Sequence, residues 1–343
     1  MSYFMVLGGF ILLFVGGEAL VRGSVGIARK LNVSELVIGL TLVGFGTSVP
    51  ELVTSLQAVF SGAEGMSVGN VAGSNVANIL LVLGVAALIR PITTNPRALA
   101  RDFTAMVGVT LIFCALAYYD MFTRPVGIGL FVLLVFYILT SFLLDKDDTN
   151  EAGQMHANEG ELIEANDALP LSFFFAIAGI LGVVFGARIL VTGGIDIASD
   201  YGVSETLIGL SLVAFGTSLP ELATAGISAM RGKSDVALGT VLGSNIFNIL
   251  GIIGVTAMVR PFNLTGEGQG IAGTSYSAGA ALSNVSDALT WTDISTLALS
   301  VFLVFIFAFT GKKLARWEGA VMLGGYLLYI GFLFGYVPTP FAS

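Results

Sequence analysis

Charge is what this chain lacks. Only 11% of its 343 residues are Asp, Glu, Lys or Arg, against roughly a quarter in a soluble globular domain. Residues for nucleophilic and redox chemistry are scarcer still, with one histidine and one cysteine. Cys114 lies inside an apolar run and has no second thiol with which to form an internal disulfide. His156 falls in a polar stretch far from any apolar segment centre. The hydrophobic segments therefore offer no nucleophile–base pair, which argues against an enzyme. The formal net charge of −8 leaves no basic surface for nucleic acid. Met1–Leu20 has neither a basic start nor a small-residue cleavage site, so it reads as a first membrane span and not as a signal peptide.

Hydrophobic residues make up 55% of the chain. They recur in windows of about 20, the length a helix needs to cross a bilayer. Spans are expected at 3–21, 36–60, 67–89, 103–119, 125–144, 171–192, 206–230, 235–259, 294–310 and 318–336. The expected fold is all-α and integral to the membrane, with ten transmembrane helices. Asp145–Leu169 is acidic and reads as a solvated linker. It does not fit a calcium-binding EF-hand loop, because Asn150 takes the usual Gly place and His156 the usual Glu place. Pro261–Asp293 is rich in Gly, Ser, Ala and Thr, too polar to span and too long for a simple turn.

The chain repeats itself at a constant offset of 170. Val33-Ser34-Glu35 returns as Val203-Ser204-Glu205, Ile38-Gly39-Leu40 as Ile208-Gly209-Leu210, and Arg90-Pro91 as Arg260-Pro261. Five spans fall in each half, 1–144 and 170–343, with 145–169 between them and 261–293 inserted in the second. An odd number of crossings makes the second half enter from the opposite side. The halves are therefore expected to be inverted repeats, an architecture shared by many secondary transporters. Lys and Arg crowd one set of loops: Arg22, Arg29, Lys30, Arg90, Arg97, Arg101, Lys146, Arg231, Lys233, Lys312, Lys313 and Arg316. Only Arg124, Arg188 and Arg260 fall on the other. The positive-inside rule then puts the acidic linker in the cytoplasm and both termini outside, in what is expected to be the plasma (inner) membrane.

Two words carry the chemistry. Gly44-Phe45-Gly46-Thr47-Ser48-Val49-Pro50-Glu51-Leu52 returns as Ala214-Phe215-Gly216-Thr217-Ser218-Leu219-Pro220-Glu221-Leu222. Each copy is followed by a second word, Gly73-Ser74-Asn75-Val76-Ala77-Asn78 and Gly243-Ser244-Asn245-Ile246-Phe247-Asn248. A carboxylate at bilayer depth is expensive and marks a site, and here it recurs at the same repeat position. Thr47 and Glu51 share a helix face with Ser48 beside them, and Ser74 and Asn78 share another. Pro50 and Pro220 should break their helices, freeing carbonyls near Gly44 and Ala214. Brought together, the words form an all-oxygen cage without His or Cys. Such a cage suits hard cations, and a flexible one with two carboxylates suits Ca²⁺ better than Mg²⁺. Several Na⁺ could occupy the same oxygens, and competition at one site is the logic of antiport. Asn75 and Asn245, one step off the Ser/Asn face, are expected to be structural.

These paired words resemble the two alpha-repeats of the sodium/calcium exchanger family, within the cation/calcium exchanger superfamily. The resemblance covers nearly the whole chain in span count, order and repeat spacing. It implies exchange of Na⁺ for Ca²⁺ by alternating access, with no cofactor. It carries ligand roles onto Thr47, Ser48, Glu51, Ser74, Asn78, Thr217, Ser218, Glu221, Ser244 and Asn248, and onto carbonyls near Gly44 and Ala214. It also points to the first and sixth helices, rich in Gly8, Gly9, Gly16, Gly17, Gly179, Gly182 and Gly186, as gliding elements. The chain departs from some relatives at Asn248, where the potassium-dependent branch has an acid; this favours a potassium-independent exchanger. A Ca²⁺/H⁺ antiporter is the alternative, although protons need no cage of hydroxyls. A passive cation channel fits inverted halves with broken helices less well.

Overall fold

The computed structural model describes residues 1–62, 64–93, 96–156, 168–201, 214–262, 293–307 and 313–333. Apart from two short strands these residues are almost entirely helical. Helix α1 (Ser2–Leu31) is followed by α2 (Glu35–Thr47) and α3 (Val49–Phe60), which bend by 45° about Ser48. Then come α4 (Glu64–Ile89), strand β1 (Ile92–Thr93), α5 (Pro96–Tyr118), α6 (Arg124–His156) and α7 (Leu169–Asp200). Helices α8 (Ala214–Thr217) and α9 (Leu219–Met230) repeat the α2–α3 break. The remainder is α10 (Ser234–Val259), α11 (Asp293–Phe307), β2 (Lys313–Leu314) and α12 (Arg316–Leu333). Among the described residues, six helices are long and apolar enough to cross a membrane, or seven if the bent α2–α3 pair is one span.

Several helices outrun their expected spans. Helix α1 continues ten residues beyond 21, to Leu31, where Asn32 closes it in a left-handed conformation (φ 55°) with its N–H on the Ala28 carbonyl. Helix α7 likewise runs to Asp200. Hydropathy marks only the part of a helix that sits in hydrocarbon; backbone bonding carries it onward into water. The same holds for the expected linker, whose first part to His156 continues α6. Residues 157–167 and 263–292, the first third of the seventh expected span (206–213), and the last residues of the ninth (308–310) and tenth (334–336) lie outside the described residues.

The 170-residue offset recurs in the backbone. Gly62 (φ 80°) and Gly232 (φ 71°) are both left-handed, just past α3 and α9. Arg90 and Arg260 both end their helices in extended conformation. Wide π turns interrupt α4 at Ala77–Leu83 and α10 at Asn248–Ile253, and another lies in α2 at Gly39–Val43. Nothing in the sequence pattern announced these turns, which in membrane and soluble proteins alike concentrate at functional sites.

Small residues decide how the helices approach. Helices α1 and α7 pack along their length in opposite directions. Gly9 meets Leu190 and Gly186, Gly16 meets Gly182, and Gly23 meets Ala176. A methyl group on Gly16 would sit 2.8 Å from the α7 backbone. Gly17 faces elsewhere, onto the Ile227 side chain of α9, and Gly8 has no neighbour within 4 Å. Gly8 is therefore removed from the expected interface: it lies on the exposed side of α1. Helices α2 and α10, by contrast, run in the same direction, with Gly39 on Gly239 and Gly44 on Gly243 and Ser244.

The two halves interlock. Helix α12 packs on the end of α4 through Gly84 and Gly319, while α6 packs on the end of α10 through Gly127 and Gly254. At one end β1 pairs with β2, Ile92 opposite Leu314. At the other, Phe122 bridges to Phe262 with rings stacked at 4.7 Å. The large hydrophobic core lies along α4, α5, α10 and the helices flanking them. A separate, smaller cluster joins α1 and α7 to residues such as Ile38, Val43 and Leu219.

Candidate cation site

The site lies where the α2–α3 and α8–α9 breaks meet α4 and α10. Pro50 and Pro220 occupy the first turn of α3 and α9. A missing N–H costs nothing there, because those first donors have no intrahelical partner anyway. The expected rupture is accordingly a one-residue break at Ser48 (ψ 10°) and Ser218 (ψ 2°), after which each helix restarts in a new direction. Glu51 and Glu221 sit in the first turn after the break, where helix N-termini favour negative charge.

The two carboxylates are 1% and 0% exposed and close enough to repel one another. Each is met by hydroxyls of the opposite half. Ser48 Oγ donates to Glu221 Oε1 at 3.1 Å, while Thr47, and Ser244 from Glu221's own half, lie near that carboxylate but give their protons to backbone carbonyls. Thr217 reaches Glu51. Thr47 spends its proton on its own helix, donating to the Val43 and Gly44 carbonyls at 3.1 and 3.2 Å, so its remaining lone pairs are free to accept.

Ser74, Asn78, Ser218, Ser244 and Asn248, on the helices that meet at the breaks, are all buried. Five side-chain atoms there have no hydrogen-bond partner: Glu51 Oε2, Glu221 Oε2, Asn78 Oδ1, Ser218 Oγ and Asn248 Oδ1. Buried polar atoms are rarely left so, and oxygens of these types are acceptors of the kind a hard cation satisfies. No group of three His, Cys, Asp or Glu side chains that could hold a metal occurs among the described residues. Two carboxylates with hydroxyls and amides are the available ligands.

Two expected carbonyl ligands fare differently. The Gly44 carbonyl accepts from Thr47 Oγ1, from Ser48 N at 3.2 Å and from Ser244 Oγ at 3.0 Å. Both of its lone pairs are therefore already engaged by hydrogen-bond donors. Ala214 opens α8, and its side chain lies outside the described residues. Sequence reasoning overlooked Asn70, whose Nδ2 donates to the Glu51 carbonyl at 3.2 Å and Ser55 Oγ at 2.9 Å. This fastens the bent pair to α4. Its placement one turn before Ser74 was the available signal. Asn75, expected to be structural, crosses between the repeats: its Nδ2 donates to the Asn245 carbonyl at 3.1 Å, and its Oδ1 accepts from Asn248 Nδ2 at 2.9 Å. Phe45 and Phe247 stack at 4.6 Å beside the site.

Comparison with known proteins follows the same outline. The model of the sodium/calcium exchanger protein family matches residues 1–143 and 171–335. The sodium/calcium exchanger MaX1 of Methanosarcina acetivorans is 33% identical over 365 aligned positions, covering 97% of this chain and 98% of that one. The inner membrane protein YrbG of Escherichia coli is 33% identical over 259, covering 75% and 79%. A solved structure of the sodium-calcium exchanger NCX_Mj superposes with a TM-score of 0.77 at 32% identity, covering 97% of this chain and 98% of that one.

Proposed function

The chain belongs to the sodium/calcium exchanger protein family, whose members are membrane antiporters and not enzymes, and on that premise we propose that it exchanges Na⁺ for Ca²⁺ by alternating access, without K⁺. The observation that carries the reading is the meeting of Glu51 and Glu221 from the two repeats, each reached by hydroxyls of the other half, amid five buried unpartnered oxygens. Two carboxylates neutralise one Ca²⁺. The neutral oxygens of Thr47, Ser48, Ser74, Asn78, Thr217, Ser218, Ser244 and Asn248, with the carbonyls of Gly44 and Ala214, complete its shell or divide among Na⁺ ions. Neutral amides at both Asn78 and Asn248 leave no third acid to recruit K⁺.

The architecture we propose is ten helices in two inverted halves, 1–144 and 170–343, joined by the cytoplasmic linker 145–169 and carrying the outer insertion 261–293. The opposed directions of α1 and α7 and the shared direction of α2 and α10 support inversion. Loop contacts support one cytoplasmic face: Lys233 pairs with Glu35 at 2.9 Å, and Lys313 lies in the strand that pairs with Ile92–Thr93. Both termini then lie outside, in the plasma (inner) membrane of the cell.

A Ca²⁺/H⁺ antiporter is the second reading, favoured by the unpartnered oxygen on each buried carboxylate, which a proton could occupy. Proteoliposome uptake decides. Ca²⁺ entry driven by an outward Na⁺ gradient at equal pH, and unaffected by replacing K⁺ with choline, is the expected result. Entry driven by a pH gradient alone refutes Na⁺ coupling, and a rate that collapses without K⁺ refutes potassium independence.

A further inference from the structure

We infer that Asn75, which is not one of the proposed ligands, is a positioning residue that decides which side of the Asn248 amide a bound cation meets. The inference rests on the exchanger reading and names a further determinant of the same site. A backbone carbonyl can only accept a hydrogen bond. Asn75 Nδ2 faces the Asn245 carbonyl at 3.1 Å, so turning that amide over would set two oxygens against each other. Its Oδ1 must therefore point the other way, where it takes the Asn248 Nδ2 donor at 2.9 Å. That bond fixes Asn248 in turn. Its NH₂ is committed to Asn75, and its Oδ1 is left buried and without a partner.

The two ends of a carboxamide are nearly identical in shape and opposite in their effect on a cation. The oxygen attracts and the NH₂ repels. Asn245 and Asn248 lie one turn apart on α10, so Asn75, reaching over from α4, spans that turn and holds the ligand from the opposite repeat. The arrangement is not reciprocated. Asn245 Nδ2 turns instead toward Met106 Sδ at 3.8 Å, and both Asn245 Oδ1 and Asn78 Oδ1 lack partners. The Asn248 amide is thus oriented by this device, and the repeat-related Asn78 amide is not. Second-sphere partners that orient a ligand typically govern affinity by 10–100-fold.

The test is the melting temperature of the purified full chain in detergent against Ca²⁺, Sr²⁺ and Na⁺ concentration, which reads binding without requiring transport. In Asn75→Ala, which leaves buried groups short of a partner, the ion-free melting temperature is expected to fall while half-saturating Ca²⁺ rises about tenfold. Asn75→Ser, whose hydroxyl both donates and accepts, recovers part of the loss. Asn75→Ala/Asn248→Ala is expected to be no weaker than Asn248→Ala alone, because Asn75 acts only through its neighbour. If the alanine variant does not fold, Asn75→Leu removes both hydrogen-bonding functions at similar volume and carries the same expectation. Unchanged half-saturation in these variants, or a loss that adds in full to that of Asn248→Ala, overturns the positioning role alone. A wild-type chain indifferent to all three ions overturns the exchanger reading, and this one with it.

Discussion

At the scale of single residues, Glu51 and Glu221 carry the negative charge of the candidate site. A lone glutamate in an apolar run could be a packing accident; two at the same repeat position, each four residues after a threonine, could not. Removing one charge while keeping the shape tests them directly. Glu51→Gln and Glu221→Gln are each expected to insert and fold, yet to weaken Ca²⁺ binding and uptake by roughly 100-fold, within the range over which ligand charge tunes oxygen sites. Near-normal exchange in either variant would remove the shared site. Asn248 offers the converse experiment. An aspartate there adds a third carboxylate beside two others and can take a proton in competition with the cation. Asn248→Asp is expected to make Na⁺-driven Ca²⁺ uptake more dependent on pH, and responsive to K⁺. A pH profile identical to wild type counts against Asn248 as a ligand. Asn75 could not be assigned from its spacing, because what matters is the carbonyl three residues before Asn248 on another helix.

At the scale of elements, the contrast lies between the α1–α7 pair and the rest. The pair shares a hydrophobic cluster, separate from the large core, with Ile38, Val43 and Leu219 of the bent helices, and meets them through contacts such as Gly17 on Ile227 and Gly46 on Ile180. Smooth faces of this sort permit sliding, and we expect the pair to glide over a steadier core as the site opens to either side. The glycines make separable predictions. Gly17→Leu drives into the Ile227 side chain at the boundary with α9, and should slow exchange several-fold while leaving Ca²⁺ binding near wild type. Gly182→Leu meets the backbone of Gly16 within the pair. It should likewise slow exchange more than it weakens binding, but with a loss of stability in the range of an overpacked core, about 1–3 kcal/mol. Gly8→Leu projects into open space and should change neither. Exchange rates that do not distinguish Gly17 from Gly8 would dispose of the gliding face. Sequence gave no means of sorting these glycines, since all lie in similarly apolar surroundings; only the helix crossing shows which face is covered.

At the scale of the whole molecule, the halves recognised by their offset are not independent packing units. Each sends its last helix across to the other: α6 lies on α10, and α12 lies on α4. The strand pairing of Ile92 with Leu314 and the ring stack of Phe122 on Phe262 fasten the two ends. The proposed cage is divided in the same way, with Ser48 bonding Glu221 and Ser244 bonding the Gly44 carbonyl. Fragments 1–144 and 170–343 expressed separately are therefore expected to show no Ca²⁺-dependent stabilisation. Co-expressed, they should recover part of it, because the missing linker carries no cage residue. A single fragment that responds to Ca²⁺ would contradict a site shared between the halves.

The sequence by itself determined the medium, the repeat and the chemistry. Scarce charge and long apolar runs require a membrane, a constant offset requires duplication, and acids among hydroxyls and amides point to a hard cation as the proposed ligand. Those conclusions depend on residue type and spacing along one strand of chain. The tertiary structure decided the rest: that the prolines begin new helices instead of merely breaking old ones, that the Gly44 carbonyl is already engaged, that Gly8 faces outward, and that Asn75 governs the Asn248 amide. Each of these is set by which atoms of distant segments meet, and hydrogen-bond direction and close backbone approach leave no periodic trace in the local pattern.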